Sequence, residues 1–199
     1  KGVDGVPVTA PLLDGKQVCM GTDRAVAAYS LLSGALLWAA KAEPPGAGAM
    51  RVALFVPCYV DAFFPEVGIA TLELLERLGC DVHYPLDQTC CGQPMANSGC
   101  HVDARATEAL YAKNFAGFDH IVTPSGSCAH HVREHMTAIE QTPAVQQVRR
   151  NTWELIEFLH DVLLAHEFPW AEFPHNVGLH IGCSTLRGLR EAKASEIDE

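Results

Sequence analysis

No apolar run in this chain reaches the roughly 18 residues that a bilayer-crossing helix needs. The stretch from Ala25 to Ala40 comes nearest, and Ser30 and Ser33-Gly34 break it. The basic flank and small-residue cleavage site that mark a secretion signal are missing as well. The expectation is a cytoplasmic protein with no transmembrane segment. Positive charge is scarce: 14 Lys and Arg stand against 24 Asp and Glu, a formal net charge of −10. Residues 1–49 carry four basic and four acidic groups, so the whole excess lies in 50–199. An acidic domain without a basic stripe is poorly suited to nucleic acid or anionic membranes. Catalytic signatures are lacking too: there is no nucleophile elbow, phosphate-cradling glycine loop, HExxH motif, or flavin or nicotinamide fingerprint.

What is abundant is cysteine, eight in 199 residues. Without a secretory signal, disulfides are disfavoured, and metal or redox work becomes the better explanation of so many thiols. Cys90 and Cys91 are adjacent. Neighbouring cysteines rarely bond each other but can both face one metal centre.

The chain divides into unlike segments. Residues 1–42 hold short β-type runs at Val6–Ala10, Gln17–Met20, Ala25–Tyr29 and Leu36–Ala39, punctuated by Asp14-Gly15 and Ser33-Gly34. Residues 43–49, rich in Pro and Gly, read as a linker. From Met50 the pattern is α/β. Arg51–Val56 is a nearly continuous apolar run ending at Pro57-Cys58, as for a buried parallel strand. Asp61 can cap a following helix that has Pro65 near its start and Val67, Ala70, Leu74, Leu75 and Leu78 on one stripe, with Gly79 as its stop. Strands at Asp81–Tyr84 and Asp119–Thr123 alternate with helices near 102–115 and 127–137. A long helix is expected over Asn151–His166 and a further strand over Val177–Ile181. The fold class expected is therefore α/β, a mainly parallel sheet with helices on both faces.

Ligands of such sheets gather at the carboxyl ends of the strands, and the cysteines fall there. Cys58 follows the first strand, Cys90-Cys91 follow the second by a short loop, and Cys128 follows the third. Thiolates are soft ligands suited to iron–sulfur centres or to zinc. Gly92 lets the backbone turn sharply beside the doublet. Backbone N–H groups near Ser127 can stabilise negative charge there. Cys80 and Cys19 read as packing residues, and Cys100 as structural. The strand Val177–Ile181 ending in Cys183 echoes Val52–Val56 ending in Cys58, so 50–176 reads as one full module and 177–199 as the start of a truncated second.

The spacing Cys58-x31-Cys90-Cys91-Gly92-x35-Cys128 resembles the CCG, or cysteine-rich, domain. That domain occurs in heterodisulfide reductase B subunits, in glycolate oxidase and glycerol-3-phosphate dehydrogenase iron–sulfur subunits, and in the lactate utilisation protein A group. Cys58-Tyr59-Val60-Asp61, Cys90-Cys91-Gly92-Gln93-Pro94 and Gly126-Ser127-Cys128 look most like that last group. The resemblance implies an iron–sulfur cluster, of the 4Fe–4S kind, on Cys58, Cys90, Cys91 and Cys128. It also implies electron transfer during conversion of L-lactate to pyruvate, with a second iron–sulfur subunit and a third protein as partners. The fullest form of the motif ends Cys-x-x-Cys. Here the run is Cys128-Ala129-His130-His131, so His131 stands at the last position, as a further ligand or as a surface histidine. Thiol/disulfide chemistry of the heterodisulfide-reductase type, or a structural zinc on the four thiolates, are the competing readings. Residues 1–42 resemble one repeat of a PQQ-type β-propeller through Gly21-Thr22-Asp23, Ala28, Ser33-Gly34 and Trp38. A fused or read-through fragment and an irregular extension both remain open for them.

Overall fold

The computed structural model describes the backbone of four strands between residues 12 and 41, and residues 48–178 and 181–189 in full. The first four strands are β1 (Leu12–Asp14), β2 (Gln17–Thr22), β3 (Ala25–Ser30) and β4 (Leu36–Lys41). They pair in sequence order as an antiparallel meander, Leu12 opposite Cys19 and Val26 opposite Ala40. Three of the four short runs expected there are strands. The fourth, Val6–Ala10, lies outside the described residues, as do residues 42–47.

The second sheet positions the cysteines. Its strands are β5 (Arg51–Leu54), β6 (Asp81–His83), β7 (His120–Thr123) and β8 (Thr152–Glu154), in the order β6-β5-β7-β8. All pairs are parallel: Val52 lies beside Val82 on one side and beside His120 on the other, and Val122 beside Trp153. Helices connect them: α1 (Cys58–Phe63), α2 (Pro65–Arg77), α3 (Gln93–Asn97), α4 (His101–Asn114), α5 (Gly126–His130), α6 (Pro143–Arg150) and α7 (Leu155–Glu157). α5 runs on as a wider π-helical turn over His131–His135, and α7 does the same over Phe158–Val162.

Both faces of the sheet are covered, because side chains alternate along a strand. Val52, Leu54 and Val56 pack with Val60, Leu75, Phe158 and Leu159 on one face. Ala53 and Phe55 pack with Tyr111, Phe115, Val132 and Val148 on the other, and Cys91 and Cys128 belong to this second core. Phe55 meets Tyr111 and Phe115 edge-on, with centroids 5.0 and 5.7 Å apart.

The α/β class and the strand positions agree with the sequence reading; several details differ. Asp61 lies inside α1, which begins at Cys58, and α2 begins at Pro65 with no side-chain cap. The long helix expected over Asn151–His166 is instead β8 followed by α7 and its π-helical turn. Glu154 supplies the capping box at that switch, its carboxylate accepting from the N–H groups of Ile156 and Glu157. No strand forms at Val177, Gly178 or Ile181; Val177 and Ile181 are exposed, and Leu179 and His180 lie outside the described residues. Ser184–Leu189 forms another π-helical turn that packs on α5. Gly126 and Gly188 allow this approach. A Cβ on Gly126 would meet Thr185, and one on Gly188 would meet the His130 ring.

Candidate metal centre

β5 and β7 are neighbours whose outgoing connections serve opposite faces of the sheet, the kind of switch point where ligand crevices open. Cys58 is the first residue of α1, after β5 and Pro57. Cys128 is the third residue of α5, after β7. Its N–H donates to the Oγ of Ser125, the N-cap, at 3.4 Å. Cys90 and Cys91 end the loop from β6. Gly92 then turns with φ +96°, a conformation costly for any residue with a Cβ, and opens α3.

Gln88 anchors that loop. Its Oε1 accepts from the Val56 N–H at 2.7 Å, and its Nε2 donates to the carbonyls of Leu54 and Pro85, both at 3.0 Å. One side chain thus ties the doublet's loop to the end of β5, next to Cys58. The sequence reading missed Gln88. The one available signal was a long amide two residues before the doublet.

The four thiols form a row. The Sγ atoms of Cys58 and Cys90 are 3.5 Å apart, and the Gly92 N–H donates to Cys90 Sγ at 3.5 Å. Cys91 lies between Cys90 and Cys128 and is influenced by both. Cys58 is exposed, Cys90 half-buried, and Cys91 and Cys128 buried, so the row runs from the surface into the core. Protons are divided along it. The hydrogen bond from Cys91, helped by the Gly92 N–H and by Cys58, pulls Cys90 down to about 5 against the effect of burial. Cys128 is lowered, first by Cys91 and then by Ser125 and Ser127. Cys91, which lies against both, is raised by those same neighbours and by burial. Burial and then Cys90 push Cys58 up to about 11. Cys90 is thus poised as a thiolate, and Cys128 is shifted in the same direction.

The donor set fits a soft metal centre: four sulfurs on three loops, with those of Cys58 and Cys90 in contact. Among the described residues no three Cys, His, Asp or Glu side chains converge on one ion position.

The remaining candidates lie elsewhere. His131 is not a surface histidine: it is 1% exposed, on the π-helical turn after α5, with Nε2 3.5 Å from Glu108 Oε1. Burial lowers it to about 4, with His135, His130 and Arg149 adding to the effect. Glu108, fully buried on α4, was also missed, because a lone carboxylate on a helix reads as solvated. Cys80 is buried in the first core, and Cys100 and Cys183 are exposed. The side chain of Cys19 lies outside the described residues.

A parallel sheet carrying a row of cysteines at its strand ends, with a Cys-Cys-Gly turn between them, defines a cysteine-rich domain. Residues 52–133 match the family described as CCG, cysteine-rich domain. The chain is also similar to the lactate utilization proteins A. It is 41% identical over 146 residues to that of Geobacillus thermodenitrificans, covering 71% of this chain and 61% of the relative. It is 38% identical over 149 residues to that of Halalkalibacterium halodurans, covering 73% and 61%. It is 42% identical over 151 residues to lactate utilization protein A 2 of Bacillus mycoides, covering 72% and 62%. The chain thus spans about six tenths of the length of these relatives. No solved structure matches it. Among the described residues no helix is long and apolar enough to cross a membrane.

Proposed function

We propose that this chain is an iron–sulfur redox subunit of a lactate-utilisation system, with Cys58, Cys90, Cys91 and Cys128 as the cluster ligands. The observation that carries the reading is the unbroken row of four thiols delivered by three strand-end loops. A 4Fe–4S cluster held there would supply one-electron transfer at a site reaching the surface at Cys58. The protein's part is to present four soft donors, to pre-form thiolate at Cys90 and to favour ionisation at Cys128. Gln88 and Gly92 hold the doublet in place. The names of the relatives point to lactate as the source of electrons, with pyruvate as product. In this reading lactate oxidation itself falls to partners, a second iron–sulfur subunit and a third protein.

Anaerobic purification tests this. The expected protein is brown, with iron and acid-labile sulfide at roughly four each per chain, and Cys91→Ser loses most of both. A colourless protein holding one zinc per chain would be the structural-zinc module instead. A Cys91→Ser variant with full iron and an unchanged EPR spectrum would remove the doublet from the ligand set.

A further inference from the structure

The helix that begins at Cys58 turns apolar residues outward. α1 buries Val60 alone, while Cys58, Tyr59, Ala62 and Phe63 are exposed. Residues three and four apart are neighbours on a helix surface, so these positions share one face. The side of α1 that meets solvent is therefore apolar apart from a thiol. The corner into α2 continues it. The Phe64 N–H closes α1 on the Val60 carbonyl, and the Val67 N–H donates to the Phe64 carbonyl. Tyr59 is 44% exposed, Phe63 73%, Phe64 52% and Val67 39%. Contiguous apolar surface of this kind marks an interaction site, and aromatic rings are enriched at the buried centres of interfaces.

Charge around the patch indicates what covers it. Between Arg51 and Arg105, seven Asp and Glu stand against a single Arg. That residue, Arg77, ends α2 with its guanidinium over the Trp170 ring at 4.4 Å. Glu66 lies in the first turn of α2 and Asp87 three residues before Cys90, and both are exposed. A second copy of this chain would bring the same acidic rim and be repelled. Residues 1–49, with four basic and four acidic groups, bring no net charge to offset it. The complement is a surface with Lys and Arg around an apolar centre.

We propose that the outward face of α1 and its corner with α2, carrying Tyr59, Phe63, Phe64 and Val67 beside Cys58, is the docking surface for a one-electron carrier protein with a basic rim. This rests on the cluster reading above and deepens it. Cys58 is the exposed end of the thiol row, its sulfur 3.5 Å from that of Cys90, so a protein seated on α1 lies against the proposed ligand nearest solvent. The rings exclude water at the contact, and the carboxylates steer the encounter. Each encounter moves one electron, oxidising one protein and reducing the other. Electron-transfer encounters bury little surface, which suits a patch confined to one short helix and a corner.

The probe is cytochrome c, a basic haem protein, and the counter-probe is flavodoxin, an acidic flavoprotein. Binding is measured by surface plasmon resonance on metal-free and on anaerobically reconstituted protein, from about 20 to about 300 mM salt. In the loaded protein, stopped flow follows one-electron reduction of ferric cytochrome c by the cluster, itself reduced beforehand with dithionite that is then removed. Cytochrome c should bind at low salt and about tenfold or more weakly at high salt, and flavodoxin should not bind. Phe63→Ser/Phe64→Ser should weaken binding and slow electron transfer by about tenfold or more, with iron content and Tm kept because both rings are exposed. Glu66→Gln/Asp87→Asn should slow the low-salt rate and flatten its salt dependence. Val102→Ser, at a position 74% exposed on α4 across the sheet, should change neither. Cytochrome c that fails to bind, or that binds wild type and the Phe63/Phe64 variant alike, overturns the proposal. So does a wild-type dimer that this variant splits into monomers in sedimentation, because the face then belongs to a second copy. A chain that takes up no iron overturns the cluster reading, and the binding measurements still decide the surface.

Discussion

Cys58 and Cys90 stand 32 positions apart in the chain, yet their sulfurs are 3.5 Å from each other at the exposed end of the thiol row. A disulfide needs an S–S distance of about 2.05 Å, so a small movement closes one. The two residues that flank the row's buried half, Cys91 and Cys128, are far less accessible. Treating metal-free protein with diamide should therefore oxidise Cys58 and Cys90 first, with loss of two hydrogens and reduction of the diamide. Peptide mass spectrometry identifies the linked pair. A predominant Cys91–Cys128 link, or none at all, would contradict the geometry.

The proton distribution along the row makes a separate prediction about reactivity. The thiolate is the nucleophile. With Cys90 near 5 and Cys58 and Cys80 near 11, only Cys90 of these three is ionised at neutral pH. In metal-free protein, iodoacetamide at pH 7 should modify Cys90 well ahead of Cys58, although Cys58 is the more exposed. The Cys90 rate should stay flat from pH 8 down to about 6 and fall below that. Cys58 should become reactive only as the pH climbs towards 11. A Cys58 rate equal to that of Cys90 at pH 7 would count against the influence of Cys91 on Cys90.

The sheet was legible because parallel strands leave an unambiguous trace. Arg51–Val56 and Asp119–Thr123 are short apolar runs with a cysteine just beyond, and both are central strands of the second sheet. The region from Asn151 onward was not, because Trp153, Ile156, Leu159 and Leu163 happen to fall at helical spacing. The structure spends Thr152–Glu154 on a strand and leaves Ile156 59% exposed. Which periodicity wins there is decided by pairing with β7, a long-range contact that no local window contains. Glu108 failed for a similar reason. On α4 it looks solvated, and only the packing of the turn after α5 against that helix buries it. His131 stands out in the sequence by its place three after Cys128, but its burial depends on the same packing.

Gln88 supplies a prediction about how the doublet is held. Its amide satisfies the Val56 N–H and the Leu54 carbonyl, backbone groups at the end of β5. Gln88→Ala would leave both without that partner, at a cost of about 1–3 kcal/mol. Because the same amide also grips Pro85, the loop bearing Cys90 and Cys91 would be released from the strand that leads to Cys58. A lower Tm should thus be accompanied by faster loss of iron to a chelator in the reconstituted protein. A Tm loss with unchanged iron release would mean that Gln88 supports only the strand.

Stability towards acid should carry the signature of the buried pair, and the two members act in opposite senses. His131 is held neutral down to about 4, whereas an unfolded chain would protonate it near 6.5. Its contribution is fully present above pH 6.5 and is lost as the pH falls towards 4, up to about 3 kcal/mol at the bottom of that range. Glu108 is raised by burial, so it binds its proton more readily when folded; its contribution is present at low pH and lost as the pH rises through the raised value. Denaturant titrations of the metal-free protein at intervals from pH 7 to 4 separate the two. His131→Leu should flatten the acid decline, and Glu108→Gln should steepen it by removing the opposing proton uptake. Parallel pH profiles for wild type and both variants would show that neither group changes its proton affinity on folding, against the opposite shifts that burial gives them.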